Sequence, residues 1–403
     1  MSLVLIQLVS EQTVQNLLPV LRLMPARLVH LATPRTTDRS AWIADAAGQA
    51  GCPVELETVA MSAMPSIREA YGATIAAIEH AARDAREVVV NFTGGTKLMS
   101  IGAHLAALQH KTPSLYVDTP DSLFIDGNTS AAMAERLGND WSFTPLLRAL
   151  TVEVVARANG CRSVSAGRDW RPLVPLARHL LDHPADEEAA HGTLHAPSGL
   201  VPGGREPRKP ALWLPLLDQD FPLPPALLRL ALDTGIIAPG RGPGTARLPQ
   251  QSRGELEHLA TRHVEDYLPR YFRAVAPLQQ TISLLSGAWW EVIVADRAQA
   301  CGRFRDLRWS VQAGELEEDL VALDGVQVAY VSCKRGGDRS RLLPLLDEID
   351  ARARTLGGTF TRRFLALHRP PSGKVLATLQ ARAKSLGIRL LIPSDLLRPD
   401  PFA

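Results

Sequence analysis

Residues 87–99 read EVVVNFTGGTKLM, an apolar run followed by a glycine-rich turn and the start of a helical pattern. The run suits a buried strand, and two glycines let the backbone turn tightly and approach a ligand closely. Free N–H groups at the start of a helix favour an anion, Thr93 and Thr96 add hydroxyl donors, and Lys97 adds a charge. The turn matches neither GxxxxGK[ST] nor GxGxxG. These residues alone leave phosphate binding and an ordinary strand-to-helix turn equally open.

The residues around this turn alternate between strand-like and helix-like patterns. Helical spacing of apolar residues, as in 65–85, lies between apolar runs that suit buried strands, at 2–9, 27–33, 54–60, 87–92 and 114–118. Alternation of this kind predicts βαβ units in a parallel, Rossmann-like sheet, where ligands bind beyond the carboxyl ends of the strands. We therefore predict an N-terminal α/β domain over residues 1–145.

The pattern changes after about residue 145. Residues 197–249 hold eleven of the thirty prolines, so we predict that 146–250 is a linker or insert, with a small winged-helix-like module as one alternative. Further on, helices are predicted at 254–275, 283–300, 342–356 and 374–386. Strands are predicted at 304–311, 320–323, 326–333 and 388–392, with a hairpin turn at Asp324-Gly325. These elements predict a second α/β domain over residues 251–403.

Carboxylates and a lysine lie on the predicted hairpin. Side chains two apart on a strand share a face, so Glu317 and Asp319 share one face, and Ser332 and Lys334 share a face of the next strand. Upstream, Glu291 lies on an otherwise apolar helix and needs a partner if it is buried. Carboxylates bind Mg²⁺ or Mn²⁺, and a lysine can orient an attacking water. A charged hairpin with a salt-bridged lysine is the simpler alternative.

Composition narrows the function classes. The 403 residues carry a net charge of +2, with 46% hydrophobic and 21% charged residues, which is typical of globular proteins and excludes a disordered or collagen-like chain. No apolar stretch is long enough for a membrane span, and no secretion signal opens the chain. Four widely spaced cysteines make a disulfide scaffold unexpected and fit a reducing cytoplasm, which is the predicted location. Lysine is rare, with six residues against 38 arginines, so each lysine in a motif is of interest.

The segment NFTGGTKLM at 91–99 resembles the signature of CARF domains, the Rossmann-like sensors of CRISPR systems. The opening LVSEQT at 8–13, NLLP at 16–19 and Thr33-Pro34 are similar to the family's other loops. The resemblance covers about residues 1–145 and implies a cyclic oligoadenylate ligand, most favourably cyclic tetra-adenylate. A ring of identical nucleotides suits a twofold homodimer. By resemblance, the residues that face the ring are Ser10, Glu11, Gln12, Thr33, Thr93, Gly94, Gly95, Thr96 and Lys97.

Residues 255–395 resemble the PD-(D/E)xK nuclease core of the restriction-endonuclease-like fold, in the form fused to CARF sensors. The matching features are GAWWE at 287–291, Asp319, and Cys333-Lys334 fifteen residues further on. By resemblance, Glu291 and Asp319 hold the metal, Glu317 assists, and Lys334 acts on the water. Ser332 departs from the pattern because an acidic residue is usual there, so the metal would lose a charged ligand.

We therefore predict a homodimeric effector of type III CRISPR antiviral defence that cyclic tetra-adenylate activates to cleave single-stranded DNA, RNA or both, with Mg²⁺ or Mn²⁺. The first alternative is a ligand-gated nucleic-acid-binding regulator with a degenerate, inactive nuclease fold, which Ser332 motivates. The second is a metabolic Rossmann enzyme for a mononucleotide, which would bind a mononucleotide tightly and a ring not at all.

Overall fold

The N-terminal part of the chain forms a sheet covered on both faces by helices. The computed structural model describes residues 3–83, 87–128, 131–195, 200–201, 209–261, 268–336 and 339–403. The strands run in the order β3-β2-β1-β4-β5-β6, with β1 to β5 parallel and β6 antiparallel. They are β1 (Leu3–Leu8), β2 (Arg27–Ala32), β3 (Glu55–Ala60), β4 (Glu87–Asn91), β5 (Ser114–Asp118) and β6 (Leu123–Asp126). The helices are α1 (Val14–Leu23), α2 (Thr37–Gln49), α3 (Ile67–Arg83), α4 (Lys97–Gln109) and α5 (Ala131–Leu137).

Alternating side chains of the central strand β1 serve the two faces of this sheet. Leu3 and Leu5 join the apolar cluster that contains Leu17 of α1. Val4 and Ile6 join the cluster on the other face, with residues of α3 and α4. A strand buried on both faces reads as an unbroken apolar run, which is why its position could be predicted from sequence.

The middle of the chain is mostly helical with one small sheet. Its helices are α6 (Val152–Ala158), α7 (Val174–Asp182), α8 (Pro184–His195), α9 (Pro210–Asp218), α10 (Pro225–Asp233), α11 (Arg253–Ala260) and α12 (Leu268–Ser283). The strands β7 (Phe221–Pro222), β8 (Ala238–Pro239) and β9 (Thr245–Arg247) pair in the order β7-β9-β8. Buried Trp213 and Leu227 place this region in the apolar cluster that also holds Trp289. The suggested winged-helix-like module covers these strands and stays a prediction.

The C-terminal part contains a five-stranded mixed sheet in the order β10-β11-β12-β13-β14, in which the first three strands are antiparallel and the last three parallel. The strands are β10 (Arg305–Ala313), β11 (Leu316–Asp324), β12 (Gln327–Gly336), β13 (Arg362–Arg369) and β14 (Ile388–Leu391), and the helices are α13 (Trp289–Ala300), α14 (Arg339–Gly357) and α15 (Gly373–Ser385). The predicted α/β class with a parallel N-terminal sheet and a separate C-terminal sheet is confirmed.

The two sheets share an apolar core. One cluster contains Leu5 and Leu17 from the N-terminal sheet region together with Val321 and Leu346 from the C-terminal one. Helix α6 lies between them, in contact with α2 on one side and α14 on the other. The N-terminal and C-terminal halves are therefore physically continuous along this cluster.

Two predicted helices differ from the structure. The helix predicted at 254–275 is two helices, α11 and α12, and residues 262–267 lie outside the described residues. The helix predicted at 283–300 contains a five-residue π turn at Leu284–Ala288, with a kink at Gly287, and α13 begins only at Trp289. Trp289 and Trp290 are buried and anchor α13 beside the sheet.

Candidate functional site

The glycine-rich turn joins β4 to α4 and lies against the end of β1. A Cβ on Gly94 would stand 2.1 Å from the carbonyl oxygen of Leu8, so only glycine fits. Gly95 has a φ of +73°, a backbone conformation that glycine adopts without strain. Thr96 caps the helix, because its hydroxyl accepts a hydrogen bond from the Met99 N–H at 3.3 Å. Gly95, Thr96 and Lys97 are exposed, so the start of α4 faces solvent.

Two threonine hydroxyls that are predicted to face the ligand, those of Thr93 and Thr33, are engaged within the protein. The Thr93 hydroxyl donates to Asn91 Oδ1 at 2.6 Å and accepts from the Val117 N–H at 2.7 Å. Thr33 is buried, and its hydroxyl lies 3.2 Å from that of Thr36. These two threonines shape the loops in the structure, and their contact with a ring stays a prediction.

The loop after β1 lies beside the glycine-rich turn. The Ser10 hydroxyl accepts from the Gln12 N–H at 3.0 Å, and Glu11 is exposed. Gln12 Oε1 is buried and accepts no hydrogen bond from the residues that the structure describes. The loops with Ser10 to Gln12, Thr33 and Gly94 thus follow three neighbouring strands, β1, β2 and β4, at the edge where Rossmann-like sheets bind ligands.

A buried polar layer under these loops was not foreseen from the sequence. Gln7 Nε2 lies 2.8 Å from His30 Nε2, and Gln7 Oε1 accepts from Asn91 Nδ2 at 3.0 Å. Asn16 accepts from the Ser10 N–H at 2.9 Å and donates to the Leu8 carbonyl at 2.7 Å. Burial lowers the pKa of His30 to about 3, so it stays neutral. Polar residues inside apolar strand runs are the signal that could have revealed this layer.

Three predicted carboxylates line one cavity in the C-terminal half. Glu291 from α13 and Glu317 and Asp319 from β11 border a cavity of about 250 Å³. Trp309 Nε1 donates to Glu291 Oε2 at 2.9 Å, and the Ser310 hydroxyl donates to Glu317 Oε1 at 2.5 Å. Trp309 is a further site residue that the sequence did not indicate, since it reaches the cavity from β10.

Asp319 organises the other predicted residues through one oxygen atom. Its Oδ2 accepts from the Cys333 N–H at 2.6 Å, from Lys334 Nζ at 2.9 Å and from the Ser332 hydroxyl at 3.2 Å. Asp319, Ser332 and Lys334 border a second cavity of about 260 Å³ with Glu317. The structure therefore brings all five predicted residues of this site together, with Asp319 bordering both cavities.

The neighbouring Glu318 does not line the first cavity, and it borders the second from the buried side of β11. It is buried, and it accepts from the Tyr330 hydroxyl at 2.7 Å and pairs with Arg352 of α14 at 3.2 Å. Burial, followed by the Glu318 charge, raises the pKa of Tyr330, so the phenol stays protonated as a donor. Glu317 and Asp319 line the first cavity together and Glu318 does not, as the predicted alternation along β11 requires.

Glu291 keeps its proton to a higher pH than an isolated carboxyl group would. Burial and then the Asp319 charge raise the pKa of Glu291 to about 8, and the hydrogen bond from Trp309 opposes them. Burial by itself lowers the pKa of Lys334, but the Asp319 carboxylate outweighs it, so the pKa is raised and Lys334 stays a cation. Two carboxylates this close repel each other when both are ionised, and a bound cation would offset that repulsion.

The donor set fits a hard divalent cation. Mg²⁺ and the similar Mn²⁺ take oxygen ligands, commonly one or two carboxylates completed by water and substrate phosphate. Glu291 and Asp319 supply two such carboxylates. Among the described residues, no three side chains of His, Cys, Asp or Glu are grouped closely enough to hold an ion by themselves. A metal here would therefore depend on waters or on the substrate for its remaining ligands.

The raised pKa of Glu291 predicts a pH-dependent stability. Between the ordinary pKa near 4.5 and about 8, the folded protein binds a proton that the unfolded chain has released. The free energy of unfolding of the metal-free protein therefore falls as pH rises through this window, by up to about 1.4 kcal/mol per pH unit. Glu291→Gln removes this loss, so it should raise the melting temperature clearly at about pH 8.5 and little at about pH 5.

Scanning calorimetry in EDTA measures this effect. Glu348→Gln is the control, because Glu348 is half-exposed on α14 and pairs with Arg352 at the surface. An equal shift of melting temperature by Glu291→Gln at both pH values would contradict the prediction.

Comparisons with known proteins bear on the N-terminal sequence and on the fold. Residues 4–135 match the sequence profile of the Card1 CARF domain. Can2 from Sulfobacillus thermosulfidooxidans, in complex with cyclic tetra-adenylate, is similar with a TM-score of 0.62 and 17% identity over 96% of this chain and 95% of that chain. Protein VC1899 from Vibrio cholerae is similar with a TM-score of 0.67 and 15% identity over 98% of this chain and 95% of that chain.

A type III CRISPR defence DNA nuclease activated by cyclic oligoadenylate gives a TM-score of 0.52 at 16% identity, over 93% of this chain and 46% of that chain. No curated protein matches the chain by sequence. The N-terminal sheet therefore has the Rossmann-like CARF fold, and a separate α/β domain follows it. None of the helices in the described ranges is long and apolar enough to cross a membrane.

Proposed function

We propose that the protein is a type III CRISPR effector in which cyclic tetra-adenylate, bound by the CARF domain, activates metal-dependent cleavage of single-stranded DNA, RNA or both. One observation carries the proposal: Asp319 borders a cavity with Glu291 and holds Lys334 at 2.9 Å, in a chain that begins with a CARF domain. The Can2 complex and the ring-activated DNA nuclease, which share the fold, favour this ligand and this chemistry.

The sensor site offers backbone donors and charge to a cyclic nucleotide. The exposed start of α4, with Gly95, Thr96 and Lys97, suits a phosphate because N–H groups and the helix dipole point at it. The buried Gln12 Oε1, which accepts no hydrogen bond from any residue in the described ranges, provides an acceptor beside this turn. An adenine amino group is a donor of the kind that this acceptor lacks.

At the proposed nuclease site, each of the five residues has its own role. Glu291 and Asp319 would hold the metal, and Glu317 would hold a water through the cavity that it shares with them. Bound Mg²⁺ or Mn²⁺ polarises a phosphate and acidifies a water. Lys334 carries a charge fixed by Asp319 at the edge of the site, where it orients the attacking water and stabilises the developing negative charge. Ser332 contributes a neutral hydroxyl to Asp319.

Cleavage assays with labelled single-stranded DNA and RNA, Mn²⁺ and cyclic tetra-adenylate test the proposal. Lys334→Ala should abolish cleavage, whereas Lys384→Ala, a change of an exposed lysine on α15, should leave it intact. Loss of cleavage in both variants, or in neither, would argue against Lys334 as part of the machinery.

An exposed apolar face on α4 supports the homodimer. Leu98, Ile101, Leu105 and Leu108 recur at helical spacing and are each between 45% and 49% exposed. Such a stripe on a helix is typical of a surface that packs against another protein. The same helix begins at Lys97, so a second copy related by a twofold axis would bring two glycine-rich turns to one ring.

Leu105→Arg should therefore convert a dimer to a monomer without unfolding the chain, and it should weaken ring binding. The substitution would bury a charge in the apolar stripe, which is unfavourable. A twofold axis repeats the contact, so this cost arises once for each copy. Sedimentation velocity measures the mass, and Leu397→Arg, at a more exposed leucine outside this face, is the control. A monomeric wild-type protein, or a dimeric Leu105→Arg protein, would contradict this assignment.

The ring can activate the protein only by binding the active arrangement more tightly than the resting one. A chain of contacts leads from the sensor loop towards the nuclease site. Thr13 donates to Asn159 at 3.0 Å, and Asn159 packs on Gly358 at the end of α14. Arg352 of the same helix borders the cavity of Lys334. A shift of the loop after β1 would thus act on α14 first.

An inactive regulator is the second candidate, and Ser332 is the observation that favours it. Ser332→Glu adds the carboxylate that the nuclease pattern has, beside Asp319. Under our proposal the site already works, so the variant should change the cleavage rate by less than about tenfold, ~1.4 kcal/mol. Ser332→Gln is the control of matched size without charge. A gain of cleavage from none to a measurable rate in Ser332→Glu alone would favour the regulator.

A further inference from the structure

The segment after α6 lies along the open edge of the C-terminal sheet. Val164 and Arg168 each bridge to β10, and the Arg168 N–H donates to the Trp309 carbonyl at 2.8 Å. Gly167 has a φ of +77°, and a Cβ there would stand 2.7 Å from that same carbonyl oxygen. The backbone of Arg168 is therefore fixed beside Trp309, the residue that donates to Glu291.

Arg168 reaches the acidic cavity from this edge. Arg168 lines the cavity together with Glu291, Glu317 and Asp319, and among the described lining residues it carries the one positive charge. The side chain is exposed. Within the described ranges, no hydrogen bond or ion pair engages its guanidinium, although three carboxylates line the same cavity.

Two nearby arginines, Arg308 and Arg157, are already paired. Arg308 bonds to Asp306 at 2.9 Å and to the Ser165 carbonyl at 3.0 Å, and Arg157 bonds to Asp45 at 2.9 Å. Arg168 thus differs from these two arginines, which stabilise the fold. A free guanidinium presents a planar fork of donors that matches a phosphate in two hydrogen bonds.

We infer that Arg168 binds a backbone phosphate of the nucleic-acid strand at the acidic site, an inference that rests on the proposed nuclease function. Asp319 then shares the first cavity with Arg168 and the second with Lys334. Lys334 is paired with Asp319, whereas Arg168 remains available to the substrate. The strand would cross the first cavity between Arg168 and the carboxylates. Since the contact is to a phosphate, it is the same for DNA and RNA and for every base.

Binding of fluorescein-labelled oligo(dT) and oligo(A), measured by anisotropy with Ca²⁺ and cyclic tetra-adenylate at several salt concentrations, tests the inference. Arg168→Ala should weaken binding of both roughly tenfold at low salt and reduce the slope of log K against log salt by about 0.7. Arg168→Lys should recover part of the affinity because it keeps the charge and loses the fork. Arg162→Ala, at an exposed arginine of the same segment, is the control.

The outcomes separate this inference from the proposed function. If the wild-type protein binds and cleaves and Arg168→Ala binds like Arg162→Ala, the phosphate contact is wrong and the nuclease stands. If the wild-type protein binds neither oligonucleotide and cleaves nothing, both fail. If Arg168→Ala instead keeps its affinity for the strand but binds Mn²⁺ more tightly, Arg168 is a counter-ion of the carboxylates, which also overturns the inference.

Discussion

Asp319→Asn should reduce cleavage by roughly 1,000-fold, about 4 kcal/mol of transition-state stabilisation. The substitution keeps the size of the side chain and removes its charge. Oδ2 of Asp319 accepts from Ser332, from the Cys333 N–H and from Lys334, so the loss affects the metal ligand and the position of the lysine together. Single-turnover cleavage with saturating cyclic tetra-adenylate and Mn²⁺ measures the effect.

Asp347→Asn is the matched control for this prediction. Asp347 lies on α14 in a mostly exposed pair with Arg382, and such pairs contribute little. Calorimetry should show that Asp319→Asn still binds the ring, because the sensor loops are unchanged. Cleavage by Asp319→Asn within tenfold of the wild-type rate would remove Asp319 from the catalytic machinery.

Gly94→Ala should destabilise the CARF domain by about 3 kcal/mol and abolish binding of cyclic tetra-adenylate. The new Cβ would stand 2.1 Å from the carbonyl oxygen of Leu8 and 3.3 Å from the Cβ of Ser10. The first of these atoms belongs to the backbone of a buried central strand and cannot move aside. The glycine-rich turn must therefore shift away from the loop that contains Ser10, which separates the two halves of the ring site.

Gly72→Ala in α3 provides the control in the same domain. No atom lies within 4 Å of a Cβ at Gly72, so alanine should be neutral or stabilise the helix by up to about 1 kcal/mol. Thermal unfolding and calorimetric titration with the ring measure both variants. Wild-type stability and ring affinity in Gly94→Ala would show that the turn does not press on β1 as the structure has it.

The N-terminal sheet was predictable because its central strands β1, β2 and β4 are buried on both faces and read as apolar runs. In the two larger sheets, strands β6 and β13 were missed for physical reasons. Strand β6 has four residues and ends in a charge, so it is too short to show a period. Strand β13 reads RRFLALHR, and the arginines at both ends conceal the buried stretch 364–367 from a search for apolar runs.

The nuclease-like site was predictable where it lies on one hairpin. The face shared by Glu317 and Asp319 follows from the strand period alone. The hydrogen bond from the Cys333 N–H to Asp319 follows from the register of β11 against β12, which the sequence does not specify. Trp309 and Arg168 join the site from β10 and from the segment before α7. Long-range packing of that kind has no local sequence pattern.

The glycine-rich turn was likewise predictable only in part. Glycine at 94 and 95 follows from the needs of a tight turn, and the structure explains both positions. The Thr93 hydroxyl, predicted to face the ligand, is engaged by Asn91 and Val117 in the structure. A hydroxyl in a turn serves the backbone as readily as a ligand, and the sequence does not distinguish the two.

The ratio of initial cleavage rates with and without cyclic tetra-adenylate, in one preparation of the wild-type protein with Mn²⁺, tests the coupling of sensor and nuclease most directly. Labelled single-stranded DNA and RNA are the substrates, and Asp319→Asn controls for contaminating nuclease. We expect cleavage that depends on the ring, with a ratio above about 100, since a coupling of ~3 kcal/mol is typical of strong allosteric control. Ring binding by calorimetry together with equal cleavage rates in both conditions would contradict it.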